Sequence, residues 1–369
     1  MPVLEEANHK KLVFTVTNDL NYDQRMIRIC SSLQKNGYEV LLIGRMRKSS
    51  IALNPQIFKQ KRLFCYSEKG KSFYIEYNIR LFFFLLFQRM NLICAIDLDT
   101  IIPCYFISVL LRKKRVYDAH ELFTEMKEVV SRPKIYAVWK KIEKIFVPKF
   151  KWGYTVNLPI KDILLENYGI NYEIIRNMPL SQNIDKVERG DFIIYQGAVN
   201  EGRSFETIIP AFQWINKELW IYGEGNYYSK AVELVKQYNL ENKVIFKGNV
   251  LPKELKLITP KAILGITLFE NNGLSNYYSL ANRFFDYIQS GVPQLCVKYP
   301  IYKEINSEFE VAVLIDNLTP EAIADAINTV TNDEITLNRL RQNCLKAREV
   351  YNWEQEEKKL IEFYRNIWN

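Results

Sequence analysis

Short apolar runs recur along this chain, each followed by a polar loop and then an amphipathic stretch. In the first half they are KLVFTVT (11–17), YEVLLIG (38–44), LICAI (92–96), RVYDA (115–119) and WGYTVN (152–157). Their length and β-branched content predict buried strands. The loop NDLNYDQR (18–25) and the helix MIRICSSLQKNG separate the first two runs. A strand–helix–strand unit of this length implies a parallel sheet. Residues 46–63 are basic and lack periodicity, so no element is predicted there. LFFFLLFQ (81–88) is the most apolar part of the chain. A helix that is apolar all round belongs in a core. The alternative is a surface helix dipping into a membrane interface, because Arg80 and Arg89 flank it. Further helices are predicted over 101–111, 135–147 and 159–168, and residues 172–179 close this half.

Residues 180–190 (LSQNIDKVERG) are polar without periodicity and predict an inter-domain linker. The alternation then restarts with DFIIYQG (191–197), LWIYG (219–223), KVIFKG (243–248), AILGITL (262–268) and PQLCV (293–297). Helical patterns fall between these runs and continue over 319–331, 333–350 and 353–368. The fold class predicted is α/β: two successive Rossmann-like domains, 1–180 and 181–352, with helix 353–369 packing back on the first.

One stretch of the second half carries chemistry. Residues 270–293 (ENNGLSNYYSLANRFFDYIQSGVP) follow a strand, pass through a Gly/Asn/Ser loop and enter a helix that stops at Ser290-Gly291-Val292-Pro293. A loop feeding a helix N-terminus presents free N–H groups and the positive end of the helix dipole to an anion. Asn282 and Arg283 lie in the first turn, and Asp286 lies one turn further in, where a carboxylate suits sugar hydroxyls. The combination reads as a site for phosphate and ribose, or alternatively as an ordinary βα unit with a polar loop.

Composition narrows the function classes. Of 369 residues, 48% are hydrophobic and 25% charged, which is globular rather than disordered. The net charge of +8 is uneven. Residues 1–175 hold 28 Lys and Arg against 17 Asp and Glu, a net +11, and the remainder holds 22 against 25, a net −3. A basic first half points to an anionic partner: acidic lipid, phosphorylated substrate or nucleic acid. The run Arg112-Lys113-Lys114-Arg115 is either a solvated face or a contact to acidic headgroups. No G-x-G-x-x-G, Walker A or G-x-S-x-G motif is present, and no RNA-binding or helix-turn-helix signature, so no nucleic-acid partner is expected. Six scattered cysteines without a C-x-x-C pair read as free thiols, and two histidines exclude a His-rich metal site. The N-terminus MPVLEEANHKK lacks the apolar core of a signal peptide, and no run reaches the roughly 18–20 residues of a membrane span. A cytoplasmic protein is expected, peripheral on the inner face of the membrane where its basic half meets acidic lipid.

Polar residues also follow the strands of the first half, where open α/β sheets bind ligands. They are Asn18, Asp19, Asp23 and Arg25, then Asp97 and Asp99, then His120 beside Asp118 and Glu121. Asn18 and Asp19 also read as cap and turn residues, and a lone histidine also reads as structural.

Several segments together resemble the family 4 glycosyltransferases of the GT-B fold, closest to members from bacterial surface-polysaccharide pathways. They are TVTNDLNYDQRMIRICSSLQKNGYEV, AIDLDT, VYDAHELF, RNMP, YQGAVNEGR and LANRFFDYIQSGVP. The likeness spans nearly the whole chain in order. It implies two Rossmann-like domains facing each other across a cleft. It also implies retaining transfer of a sugar from a nucleotide-sugar, with UDP or GDP as the expected nucleotide, to a glycan or lipid-linked acceptor. No cofactor and no metal are implied; the nucleotide-sugar is a co-substrate. By this resemblance Gly197, Asn200 and Arg203 meet the diphosphate, with Arg203 standing at the family's lysine and Ala198 replacing its arginine. Phe246, Gly248 and Asn249 line the base. Ser279, Leu280, Asn282 and Arg283 face phosphate, and Asp286 stands at the second glutamate of the family's pair and binds ribose. Tyr278 stands where the first glutamate belongs, so Glu270 is the nearest acid for the donor sugar. His120 matches a histidine near that sugar and is expected as a neutral imidazole. Asn18, Asp19, Arg25, Asp97 and Asp99 are the acceptor candidates, and His120, Arg203 and Glu270 the catalytic ones. The departures at Ala198 and Tyr278 leave a rival, a catalytically silent GT-B subunit that binds nucleotide or acceptor as a scaffold; another GT-B enzyme, such as a nucleotide-sugar 2-epimerase, is a further alternative.

Overall fold

A computed structural model of the chain describes residues 10–182 and 188–369. The expected linker therefore lies partly outside the described residues, as do the N-terminal segment 1–9 and His9. The chain forms two compact units, Met1–Asn177 with Glu356–Asn369, and Met178–Gln355.

Unit 1 begins with β1 (Lys11–Thr15), α1 (Gln24–Lys35), β2 (Glu39–Met46) and β3 (Lys59–Phe64). It continues with α2 (Gly70–Leu86), β4 (Leu92–Ile96), α3 (Ile101–Leu110) and β5 (Lys114–Ala119). Then come α4 (Lys127–Val130), α5 (Pro133–Phe146), β6 (Trp152–Thr155), α6 (Leu158–Tyr168) and β7 (Glu173–Ile174). The parallel sheet has the order β3-β2-β1-β4-β5-β6-β7. Alternation along β1 separates its two faces. Thr15 bonds Thr100 and the Cys104 thiol of α3 on one side, while Phe14 packs on Tyr364 on the other. Tyr364 belongs to α15 (Trp353–Asn366), and also lies edge-on to Tyr38 and Tyr154.

Two expectations fail here. Residues 59–64 form a strand despite reading KQKRLF, because β3 is a sheet edge, where charged side chains are tolerated and block further pairing. The apolar run 81–88 is not buried all round. It ends α2, whose Phe73, Tyr77, Leu81 and Leu85 face the core while Phe83 and Phe87 are exposed.

Unit 2 begins with β8 (Phe192–Gln196), α7 (Phe205–Ala211), β9 (Glu218–Tyr222), α8 (Tyr228–Gln237) and β10 (Val244–Gly248). Next are α9 (Pro252–Ile258), β11 (Leu264–Thr267), α10 (Leu274–Tyr277), α11 (Asn282–Gln289) and β12 (Gln294–Val297). It closes with α12 (Pro300–Phe309), β13 (Ala312–Ile315), α13 (Pro320–Thr331) and α14 (Glu334–Ala347). Its parallel sheet runs β10-β9-β8-β11-β12-β13. In both sheets the strand order reverses beside the unit's first strand, at β1/β4 and at β8/β11. Ligands of open α/β sheets bind at such points. All six cysteines are buried and unpaired, and no helix among the described residues is long and apolar enough to cross a membrane.

Candidate functional site

The β1/β4 switch of unit 1 opens into a cavity of about 510 Å³, lined by Thr17, Asn18, Arg45, Arg47, Tyr74, Asp97, Asp99 and His120 among others. The sequence at its floor dictates a chain of charges. Asp118 and His120 alternate on the end of β5, so both point to one side. Asp118 is fully buried and takes a 2.9 Å ion pair from Arg25 of α1 and a 3.0 Å contact from His120 Nε2. The other imidazole nitrogen lies 3.6 Å from Asp97. Burial opposes the charge of Asp118, but Arg25 and His120 outweigh it and hold its carboxyl below the ordinary value. Burial also opposes the imidazolium, yet Asp118 and Asp97 prevail and raise His120 to about 8. The surrounding carboxylates thus favour the imidazolium over the neutral imidazole expected.

Asp97 and Asp99 remain facing the cavity. Asp97 accepts the His120 amide at 2.9 Å and has a positive φ of 50°, a strained backbone for a non-glycine residue. Burial raises its pKa. Burial likewise lifts Asp99 to about 6, against a 2.6 Å bond from Thr17, and one of its oxygens is buried without a partner among the described residues. That oxygen is ready for a hydroxyl donor. Asn18 lines the cavity and donates to Asp23 at 3.1 Å.

Two acceptor candidates are displaced. Arg25 is buried, donating to Asp118 and, at 3.1 Å, to the Ile175 carbonyl, so it positions Asp118 and does not line the cavity. Asp19 is tied to Arg62 at 3.1 Å and to Ser50, where it pins the segment between β2 and β3, and it does not line the cavity. Neither role is visible in sequence, because Ile175 and Arg62 are distant along the chain.

In unit 2 the register sets Gln196, Tyr222 and Gly248 level across β8, β9 and β10. Beyond them the backbones close tightly. A Cβ on Gly223, at φ 143°, would sit 2.0 Å from the Gly197 carbonyl oxygen. A Cβ on Gly225 would sit 2.3 Å from Asn200 Oδ1. Asn200 accepts the Asn226 amide at 3.0 Å, so its oxygen braces this turn. The Gly248 carbonyl accepts the Gly223 amide at 2.9 Å, and Gly248 has φ 68° with open space beside its Cα. Phe246 turns its ring inward onto Tyr228, and Asn249 is exposed.

The arginines converge on one ring. Arg203 lies 4.6 Å and Arg283 4.9 Å from the Phe269 ring centre. Arg283 also covers Tyr195 at 4.4 Å and donates to the Gln196 carbonyl at 3.3 Å. Among the described residues it has no carboxylate partner. Asp286, one turn into α11, accepts from the Gln196 side chain at 3.2 Å. Glu270 donates its amide to the Gly202 carbonyl at 3.1 Å, and its carboxylate accepts from Asn272 at 3.1 Å. Asn282 is exposed at the helix start.

One donor candidate is corrected: the Ser279 amide is spent on the Asn276 carbonyl at 3.1 Å, because 274–277 form the turn α10. The Leu280 amide bonds no described group. Tyr278 packs edge-on to Tyr277 with ring centres 5.0 Å apart. Sequence reasoning missed Gln196, Phe269, Gly223 and Gly225; the Gly-Glu-Gly spacing just past β9 was the available signal.

Residues 179–347 match the family of glycosyl transferases group 1. A search of curated protein sequences finds no match. Among solved structures, a sucrose-phosphate synthase from Thermosynechococcus elongatus superposes with a TM-score of 0.80 at 15% identity, covering 97% of this chain and 99% of that one. Anabaena HepE in complex with UDP-glucose gives 0.74 at 12% identity, with 97% and 100% covered. WaaG, a glycosyltransferase involved in lipopolysaccharide biosynthesis, gives 0.72 at 13% identity, with 94% and 98% covered. The chain thus has the fold of GT-B glycosyltransferases, and its second unit carries the match to the glycosyl transferases group 1.

Proposed function

We propose that the protein is a retaining, metal-independent glycosyltransferase that moves a hexose from a nucleotide-sugar to a glycan or lipid-linked acceptor in cell-surface polysaccharide biosynthesis, at the inner face of the cell membrane. The observation that carries the reading is the edge of unit 2. There the unit has glycine-cleared backbone, the start of α11, two arginines on the Phe269 ring and an Asp286 carboxylate braced by Gln196. Cations and amides suit a diphosphate, and Asp286 suits ribose hydroxyls. HepE crystallised with UDP-glucose supports a UDP-sugar as donor. Arg203 and Arg283 stabilise the charge that builds on the leaving diphosphate. The departing phosphate oxygen takes the acceptor proton on the same face of the sugar, which preserves its configuration. In unit 1 the acceptor enters the cavity, where Asp97, Asp99 and the His120 imidazolium bind hydroxyls.

The test is a panel of nucleotide-sugars with lipid-linked acceptors, reading transferred sugar and released nucleotide. Transfer that falls steeply in Arg203→Ala is expected; transfer undiminished by that change, or none with any donor, overturns the reading. The second reading, a silent nucleotide-binding subunit, is favoured by Tyr278 packing against Tyr277 where an acid is wanted. Calorimetric nucleotide binding without turnover supports it.

A further inference from the structure

We propose that the cavity of unit 1 takes an acceptor that carries a phosphoryl group, held by Arg45, Arg47, Lys69 and the start of α2, while its hydroxyls meet Asp97 and Asp99. The proposal rests on the reading that the acceptor enters this cavity, and it names the acceptor's chemistry. Sheet order divides the lining in two. The end of β2 and the loops after β2 and β3 bring Arg45, Arg47, Lys69 and Gly70. The loops after β4 and β5 bring Asp97, Asp99, His120 and Glu121. Strands β2 and β4 flank β1 on opposite sides, so two strand spacings, about 10 Å, separate the two groups at the sheet. One end of the cavity is cationic and the other rich in carboxylates. A neutral sugar answers only the second.

The cationic end is held in place before any ligand arrives. Arg45 is buried, with its guanidinium 3.8 Å from the Phe73 ring centre and donating to the Glu68 carbonyl at 2.6 Å. Its Nε is buried with no partner among the described residues. Burial, and then repulsion from Arg47, hold Arg45 below its ordinary value against the attraction of Glu68. An anion relieves two guanidiniums brought together in this way. The Glu68 carboxylate is already engaged: one oxygen lies 3.5 Å from Arg45 and the other accepts the Lys48 amide at 3.3 Å. Arg47 and Lys69 are exposed and form no ion pair among the described residues. Lys69 is also the N-cap of α2 and makes no side-chain cap bond, and Gly70, next in line, has open space beside its Cα. The start of this 17-residue helix therefore adds its unbonded amides and positive dipole end to the three cations. The floor network of Arg25, Asp118 and His120 is satisfied within itself; these rim cations are not. Forked guanidiniums beside a helix start suit a tetrahedral phosphoryl group, and carboxylates across the cavity suit hydroxyls. The phosphoryl group can belong to a soluble sugar phosphate or to the diphosphate of a lipid-linked sugar.

The test is calorimetric titration of the full chain, without donor, with glucose, glucose 1-phosphate and farnesyl-diphosphate-linked glucose. Tighter binding of at least one phosphorylated probe than of glucose is expected, weakening with salt; whichever probe binds more tightly names the source of the phosphoryl group. Arg47→Ala with Lys69→Ala should weaken that binding about tenfold or more and leave glucose unaffected. Both residues are exposed, and Arg47→Gln alone keeps the test valid if the double variant is misfolded by circular dichroism. Equal binding of glucose and both phosphorylated probes, no binding of either phosphorylated probe, or binding insensitive to Arg47 and Lys69 overturns the proposal. So does a loss confined to Arg203→Ala, which places the phosphoryl group in unit 2. Because no sugar is transferred here, failure of this binding leaves the transferase reading standing. Absence of transfer with every donor, beside intact phosphate-dependent binding, faults that reading alone.

Discussion

The two strand-end sites solve opposite problems. In unit 1 the ionisable groups are satisfied by one another: Arg25 holds Asp118, Asp118 holds His120, and His120 lies beside Asp97. In unit 2 the site is cleared backbone, and its buried arginine rests on aromatic rings and a carbonyl. A buried cation with no carboxylate partner keeps its field for an incoming anion. A buried ion network instead fixes the direction of the few groups that reach the cavity. The difference teaches that a strand-end site can be built from charges that satisfy one another or from a cation left on aromatic rings, and the proposed function assigns the acceptor to the first and the diphosphate to the second.

The comparison can be broken first at its strongest joint. Asp118→Asn strands the buried Arg25 and should cost about 3–5 kcal/mol; urea unfolding should show the transition of unit 1 shifting while that of unit 2 holds. The next effect falls on unit 2. Removing the cation in Arg203→Ala should lower kcat about 10²–10³-fold with little change in the unfolding midpoint, as the role proposed for it toward developing charge requires. Equal losses of stability and rate would make it a structural residue like Arg25. Gly223→Ala forces a Cβ against the Gly197 carbonyl at a positive φ. It should weaken nucleotide binding by about 1–3 kcal/mol in calorimetry, with unit 1 unaffected.

The smallest effect sharpens the account of unit 1. His120 is raised above its ordinary 6.5 to about 8. Its stabilising contribution is therefore fully present below pH 6.5 and disappears as the pH rises through 8. His120→Gln should flatten stability against pH across that window by at most about 2 kcal/mol. An unchanged profile would show that the imidazole does not carry the charge assigned to it.

Much of the fold was legible because buried parallel strands read as short β-branched runs, as at KLVFTVT and LICAI, and because helices follow them with caps and glycine stops. The illegible parts have physical reasons. KQKRLF is an edge strand and needs little apolar content. Strand β13 (AVLI) is a short edge after an unremarkable helix, and neither it nor α12 was anticipated. Among candidate site residues, the places of Arg283 and Asp286 in the first turns of α11 were readable. The fate of Arg25 was not, since only the fold brings it to Asp118 and Ile175.

What the sequence determined by itself was the alternation of strands and helices, the switch-point loops and their inventory of charged, amide and glycine residues. These are local properties, fixed by periodicity and composition within a few residues. Tertiary structure decided which of those groups remain available to a ligand. Asp19 and Arg25 were withdrawn by partners far along the chain, Asp99 kept an unpartnered oxygen, and Arg203 and Arg283 were brought to one ring. It also decided that one stripe of α2 serves the core while the other faces outward. Whether a polar group is spent or free depends on its neighbours in space, and those neighbours exist only once the sheets have formed.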